Sequence, residues 1–166
     1  MSVPTSASAA VTIDAPRDAV YELVADVTRM GEWSPECVGC EWLDTPGTVG
    51  SRFRGHNRRG PARWSTTARV LSAERGLEFA FATLHRDEIA TRWTYRFEGD
   101  GPTRVTESFE AVSTPFFFAI LERVVMRKRQ QQLEDGLRQT LERLKRAAER
   151  TQREPIEKDR ALKETL

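Results

Sequence analysis

Cysteine and histidine are scarce, with two of each in 166 residues, and this leaves little material for a metal centre or a disulfide framework. Cys37 and Cys40 are spaced C-x-x-C, but His56 and His85 lie far away at no recognised ligand spacing. A thioredoxin-like motif opens a helix, whereas Cys37-Val38-Gly39-Cys40 runs from Pro35 toward the strand-like Glu41-Trp42-Leu43. In an extended segment, positions i and i+3 point to opposite faces. The pair therefore reads as two reduced, partly buried thiols, with redox or metal use the weaker alternative, and neither metal nor cofactor is expected. No run approaches the ~20 apolar residues of a membrane span. The opening MSVPTSASAA has neither the basic nor the apolar region of a secretory signal, so the cytoplasm is the expected compartment. Charge of one sign is also lacking: 26 basic and 25 acidic residues leave a net +1, with no global pull toward nucleic acid or membrane. A nucleophile elbow and a Gly-rich phosphate loop are absent too.

What is present is a regular alternation of elements. Residues 1–7 are small and polar and read as a disordered N-terminus. Ser8 to Asp14 alternates as a strand with Ala9, Val11 and Ile13 on one face. Asp14-Ala15-Pro16 starts a helix, with Asp14 or Ala15 at the cap, and Val20, Tyr21, Leu23 and Val24 follow at amphipathic spacing. A second short helix is expected near 27–33. Six strands then fall near 38–44, 50–57, 62–73, 77–84, 88–98 and 103–113, separated by short Gly, Pro or charged breaks that imply antiparallel hairpins. Pro115 opens a long helix over about 115–149, and the charged stretch 150–166, which contains Pro155, reads as a disordered tail. Strands capped by helices make one α+β domain over 8–149.

Several segments together resemble a known family: V-T-I-D-A-P-R-D-A-V-Y-E-L-V-A-D-V (11–27), M-G-E-W-S-P-E (30–36), V-G-S-R-F-R-G (49–55), R-W-T-Y-R-F-E (92–98) and T-R-V-T-E-S-F-E (103–110). Over about residues 9–148 the chain is similar to the polyketide cyclase/dehydrase and lipid-transport family of the START-like superfamily. The resemblance implies a helix-grip fold, in which a seven-stranded antiparallel sheet wraps a long C-terminal helix around a cavity. It implies no single reaction, because the family includes carriers, cyclases and regulatory proteins.

The residues themselves mark out where such a cavity would lie. Alternation turns Trp93, Tyr95 and Phe97 inward on one strand, Leu77, Phe79 and Phe81 on another, Trp64, Thr66, Ala68 and Val70 on a third. On the last strand Val105, Glu107, Phe109 and Ala111 share the inner face. If both strands of the last hairpin turn their apolar faces inward, Phe97 lies opposite Val105, Tyr95 opposite Glu107 and Trp93 opposite Phe109. A lone carboxylate on an apolar face is costly unless paired or wet, and Tyr95 offers it a donor. The helix stripe of Ala119, Met126, Leu133, Leu137, Leu141, Leu144 and Ala148 is interrupted by Arg129 and Gln130, which points to water or ligand at mid-helix, or to a sheet that curves away.

The expected lining is therefore Trp33, Trp64, Phe79, Phe81, Trp93, Tyr95, Glu107 and Phe109, facing Met126, Gln130 and Leu133, and plain sheet core is the alternative for most of them. Glu107 is expected to stay ionised in a wet pocket and to anchor a ligand hydroxyl. In a dry pocket it is partly protonated and suits a general acid, with Tyr95 or His56 as a partner in proton transfer. The leading expectation is a carrier of a lipid, polyketide or isoprenoid-like molecule. A cofactor-free cyclase or dehydratase is the second, and a protein-interaction module using the same groove is the third. A monomer or homodimer, with at most transient membrane contact through Phe116-Phe117-Phe118, completes the expectation. Arg52, Arg54, Arg58, Arg59, Arg63 and Arg69 read as a solvent face rather than an anion site.

Overall fold

The structure is a computed structural model that describes residues 6–112 and 122–164, with side chains described except at 122–130, 132 and 156–164. Expectations that fall on Phe116–Phe118, and on the side chains of Met126, Arg129 and Gln130, lie outside the described residues.

Seven strands form one antiparallel sheet in the order β1-β7-β6-β5-β4-β3-β2. They are β1 (Ser6–Ile13), β2 (Cys37–Trp42), β3 (Arg52–Arg59), β4 (Ala62–Glu74), β5 (Glu78–His85), β6 (Glu88–Glu98) and β7 (Thr103–Ala111). Strands β2 to β7 are successive hairpins, so each pairs with its predecessor. The first strand instead joins the far edge, beside β7. The chain between β1 and β2 must therefore cross from one edge to the other. It does so as α1 (Arg17–Ala25) and a short 3-10 helix (Val27–Glu32). Pro16 occupies the N-cap position of α1, one residue after Ala15 and two after Asp14, the two positions the sequence reading offers for the cap. At the other end of α1, the Asp26 carboxylate accepts from the Thr28 N–H at 3.2 Å and starts the second turn.

The crossing buries one stripe of α1, Val20, Tyr21, Leu23 and Val24, against the inner face of the sheet. Tyr21 meets Phe79 and Phe97 edge-on, at ring separations of 6.4 and 5.6 Å, the favoured geometry for opposed ring quadrupoles. The second long element, α2 (Glu122–Glu164), lies chiefly along β1 and contributes Leu137, Leu141, Leu144, Ala147 and Ala148 to the same core. A buried hydrogen bond from the Thr103 hydroxyl to the Ala15 carbonyl, 2.8 Å, ties the start of β7 to the entry of α1. The architecture is the α+β helix-grip arrangement.

Three details depart from the sequence reading. Strand β1 begins at Ser6 rather than Ser8. Helix α2 continues past residue 149 to Glu164, carrying Pro155 within it. Leu77 lies outside β5, half exposed in a turn where its N–H bonds to Glu74 and its carbonyl accepts from Phe97.

Candidate functional site

The register of the last hairpin brings the site together. Phe97 pairs with Val105, Tyr95 with Glu107 and Trp93 with Phe109. Alternation sends all six side chains to the inner face, on the two strands that lie between β1, where α2 packs, and the central strand β5. The Tyr95 hydroxyl donates to Glu107 Oε1 at 2.6 Å. On its other flank Glu107 pairs with Ala9 of β1, whose small side chain leaves the carboxyl room.

Glu107 is 1% exposed. Burial pushes its carboxyl up to about 8, and the Tyr95 hydrogen bond only partly opposes this. Burial, reinforced by the carboxyl, also raises the Tyr95 phenol well above its ordinary value. Glu107 is therefore mostly protonated at neutral pH, which corrects the expectation of an ionised anchor. The reason is that one hydroxyl donor cannot replace the hydration that a carboxylate loses in an apolar wall. Because Oε1 accepts from Tyr95, the proton resides on Oε2. That atom is buried and has no hydrogen-bond partner among the described residues.

The inner face changes character at Glu107. On one side lie Val105, Phe97, Phe79, Ile13 and Thr103, all 2% exposed or less. On the other lie Phe109, Trp93, Thr91, Ile89 and Thr83, all half-buried. Rings continue across this second region, with Phe81 stacked on Trp93 at 6.4 Å and Trp93 against Phe109 at 4.7 Å. Polar groups appear there too. The Trp93 indole N–H donates to Thr91 Oγ1 at 3.1 Å, and Thr91 bonds to Thr83. Nearer β3, Asn57 reaches Thr66 at 3.5 Å. Sequence reasoning passed over Thr83, Thr91 and Asn57. Threonines at inner-facing positions of successive strands were the available signal.

The expected lining residues divide accordingly. Trp33, Phe79, Phe81 and Tyr95 are buried in one continuous core cluster with Trp93 packed against it. Phe109 and Leu133 are half-buried. Trp64 does not join them: it is 41% exposed, at the start of β4 opposite Asn57. Alternation gave its face correctly, but nothing described covers that end of the strand. A depression of about 600 Å3 lies by β1, β6 and β7; Ala7 and Phe109 border it from the inner face, Ser8, Thr94 and Ser108 from the face turned away from Glu107, and Glu134 from α2. His56 is on that outer face as well, bonded to Ser65 and near Glu41 at 3.4 Å, so it has no access to Glu107.

The cysteines also require a correction. A bulge between Cys37 and Gly39 inserts an extra residue into β2, so both thiols face inward and Sγ–Sγ is 3.5 Å. They remain free thiols. Among the arginines of 45–73, Arg52, Arg54 and Arg59 are paired with Asp44, Glu41 and Glu36.

A seven-stranded antiparallel sheet folded against one long C-terminal helix is the helix-grip arrangement. Over residues 4–149 the sequence matches the polyketide cyclase/dehydrase and lipid transport family, and the chain belongs to it. A polyketide-cyclase-like protein of Corynebacterium glutamicum is 31% identical, with a TM-score of 0.65 over 90% of this chain and 94% of that one. An aromatase/cyclase from a Streptomyces species shares the fold at 20% identity, TM-score 0.64, over 89% and 95% of the two chains. A di-domain aromatase/cyclase of the steffimycin biosynthetic pathway does so at 11% identity, TM-score 0.70, over 90% of this chain and 52% of that one. Among curated proteins no sequence match was found.

Proposed function

We propose that the chain binds an apolar small molecule, of lipid, polyketide or isoprenoid type, between the inner face of the sheet and α2. In this reading Glu107 Oε2–H donates a hydrogen bond to a carbonyl or hydroxyl oxygen of that molecule. The observation that carries it is the buried Oε2, without a hydrogen-bond partner among the described residues, at the border between packed core and half-buried aromatic wall. A buried donor without a partner costs about 1–3 kcal/mol, which a ligand oxygen offsets. Aromatic walls with few polar groups are the usual lining of such sites. The two free thiols fit a reducing cytoplasm.

A second reading, a cofactor-free cyclase or dehydratase, is favoured by the same carboxyl. An acid that titrates at about 8 is still protonated at neutral pH and is matched to general-acid work there. The test is native mass spectrometry of freshly purified protein with identification of whatever is released on denaturation. Calorimetry with that compound then compares wild type with Glu107→Gln. Binding without chemical change, and an affinity shift of about 1–3 kcal/mol in the variant, support the carrier. Product formed by wild type and not by the variant supports the enzyme. Unchanged affinity removes Glu107 from the site, and a protein that neither carries nor takes up an apolar compound sinks both readings.

A further inference from the structure

The bulge in β2 brings together two thiols that the proposed binding site does not use. Without it, residues three apart on a strand point to opposite sides. With it, Cys37 and Cys40 lie on one face with their sulfurs 3.5 Å apart and within hydrogen-bond reach, and Cys37 Sγ also lies 3.5 Å from the Gly39 carbonyl oxygen. Gly55, opposite Cys40 in the register, places no side chain over that sulfur. Cys37 is buried and Cys40 half-buried. A disulfide needs a sulfur separation of about 2.05 Å, so the pair must close by about 1.5 Å.

We propose that Cys37 and Cys40 are a peroxide-sensitive dithiol, which hydrogen peroxide converts to an intramolecular disulfide. The two thiols are unequal. The Cys40 S–H bond to Cys37 lowers the Cys37 thiol to about 7, against the opposing effect of burial, while the same bond and burial raise Cys40. In this scheme Cys37 is the attacking sulfur and Cys40, 3.5 Å from it, is the resolving thiol. Peroxide is small enough for a buried sulfur, whereas bulky disulfides are not.

In the first step Cys37 S⁻ attacks one peroxide oxygen. The O–O bond breaks, Cys37 becomes a sulfenic acid, and the departing hydroxide takes up a proton as water. In the second step Cys40 Sγ attacks Cys37 Sγ and the S–O bond breaks. The leaving hydroxide carries off the Cys40 proton as a second water. Two electrons pass from the sulfurs to one peroxide, and the products are one disulfide and two waters.

The experiment treats the folded, full-length protein with hydrogen peroxide, blocks remaining thiols by alkylation, and reads intact mass and peptide maps. The expected result is loss of both thiols in step, in a monomer lighter by two hydrogen atoms, restored by dithiothreitol. In Cys40→Ser the reaction should stop at a sulfenic acid on Cys37, trapped by dimedone. The proposal is overturned if the thiols are lost independently, if they end as sulfinic acids or disulfide-linked dimers, or if the bond forms only after unfolding in urea. The wild-type measurement decides the matter even where the serine variant fails to fold. It needs no bound ligand, so its outcome is separate from that of the binding reading.

Discussion

A carboxyl group set among Tyr95, Val105 and Phe109, and short of one hydrogen bond, titrates unlike one in water. In the unfolded chain Glu107 has its ordinary value of 4.5, and in the native state about 8. Between these values the folded protein holds a proton that the unfolded chain has lost. The group's stabilisation is complete below about 4.5, declines as pH rises, and is gone above about 8, a swing of at most about 5 kcal/mol. Glu107→Gln cannot titrate, and its amide can still accept from Tyr95. Thermal melts should therefore show wild type losing stability between pH 5 and pH 8 relative to the variant; parallel curves would mean Glu107 is ionised and hydrated. Tyr95→Phe removes the one donor among the described residues that favours the ionised form. It should move the Glu107 titration upward, as read from the carboxyl carbon by NMR, and cost about 1–3 kcal/mol. A downward move would show that the phenol is not the controlling partner. The Tyr95–Glu107 pair was legible because alternation fixes faces and a tight turn at Gly99–Pro102 fixes register. The protonation state was not legible, because it depends on how deeply α1 and α2 bury the pair.

At the scale of elements, turns and bulges decide what alternation alone does not. Gly99 has φ +89°, and a Cβ there would lie 2.8 Å from the Pro102 carbonyl oxygen. Gly136 lies within α2, where a Cβ meets nothing within 4 Å. The two glycines should respond oppositely to alanine. Gly99→Ala should destabilise by about 1–3 kcal/mol through backbone strain and the carbonyl contact. Gly136→Ala should stabilise by about 0.5–1 kcal/mol by lowering the entropy of the unfolded chain and raising helix propensity. Urea melts of both variants check the pair of signs; a loss at Gly136 would mean that the space beside it is filled in solution. The hairpin breaks were visible in the sequence because glycine, proline and charge interrupt the apolar period. The bulge at Cys37–Gly39 is marked only by Gly39, inside a segment that otherwise reads as plain strand. It comes from pairing with β3, so the convergence of the two thiols emerged only from the structure. The end of α2 was hidden for a different reason: Pro155 and dense charge argue against a helix locally, yet the helix continues through them to Glu164.

The whole molecule has two unequal ends. Around Leu144, 0% exposed, the crossing helix α1, the sheet and α2 close into continuous core with Ile13, Val20, Phe79 and Val105. Around Phe109 the same sheet face is half-buried and mixes rings with threonine hydroxyls. Such a division concentrates stability at one end and leaves the other less tightly packed, and packing a core to native density leaves no volume for a guest. Paired truncations separate the two roles. Leu144→Ala removes a fully buried side chain and should cost about 2–5 kcal/mol. Phe109→Ala removes a ring that is already partly in water and should cost less than Leu144→Ala. Binding of 1-anilinonaphthalene-8-sulfonate, an apolar probe, should show the reverse order under conditions where both variants remain folded. Leu144→Ala should keep the probe's affinity, and Phe109→Ala should weaken it several-fold, since Phe109 and Trp93 present a continuous aromatic wall at 4.7 Å. Equal stability losses with unchanged probe binding in both variants would mean that the Phe109 end is ordinary core, and that no ligand space lies beside Glu107.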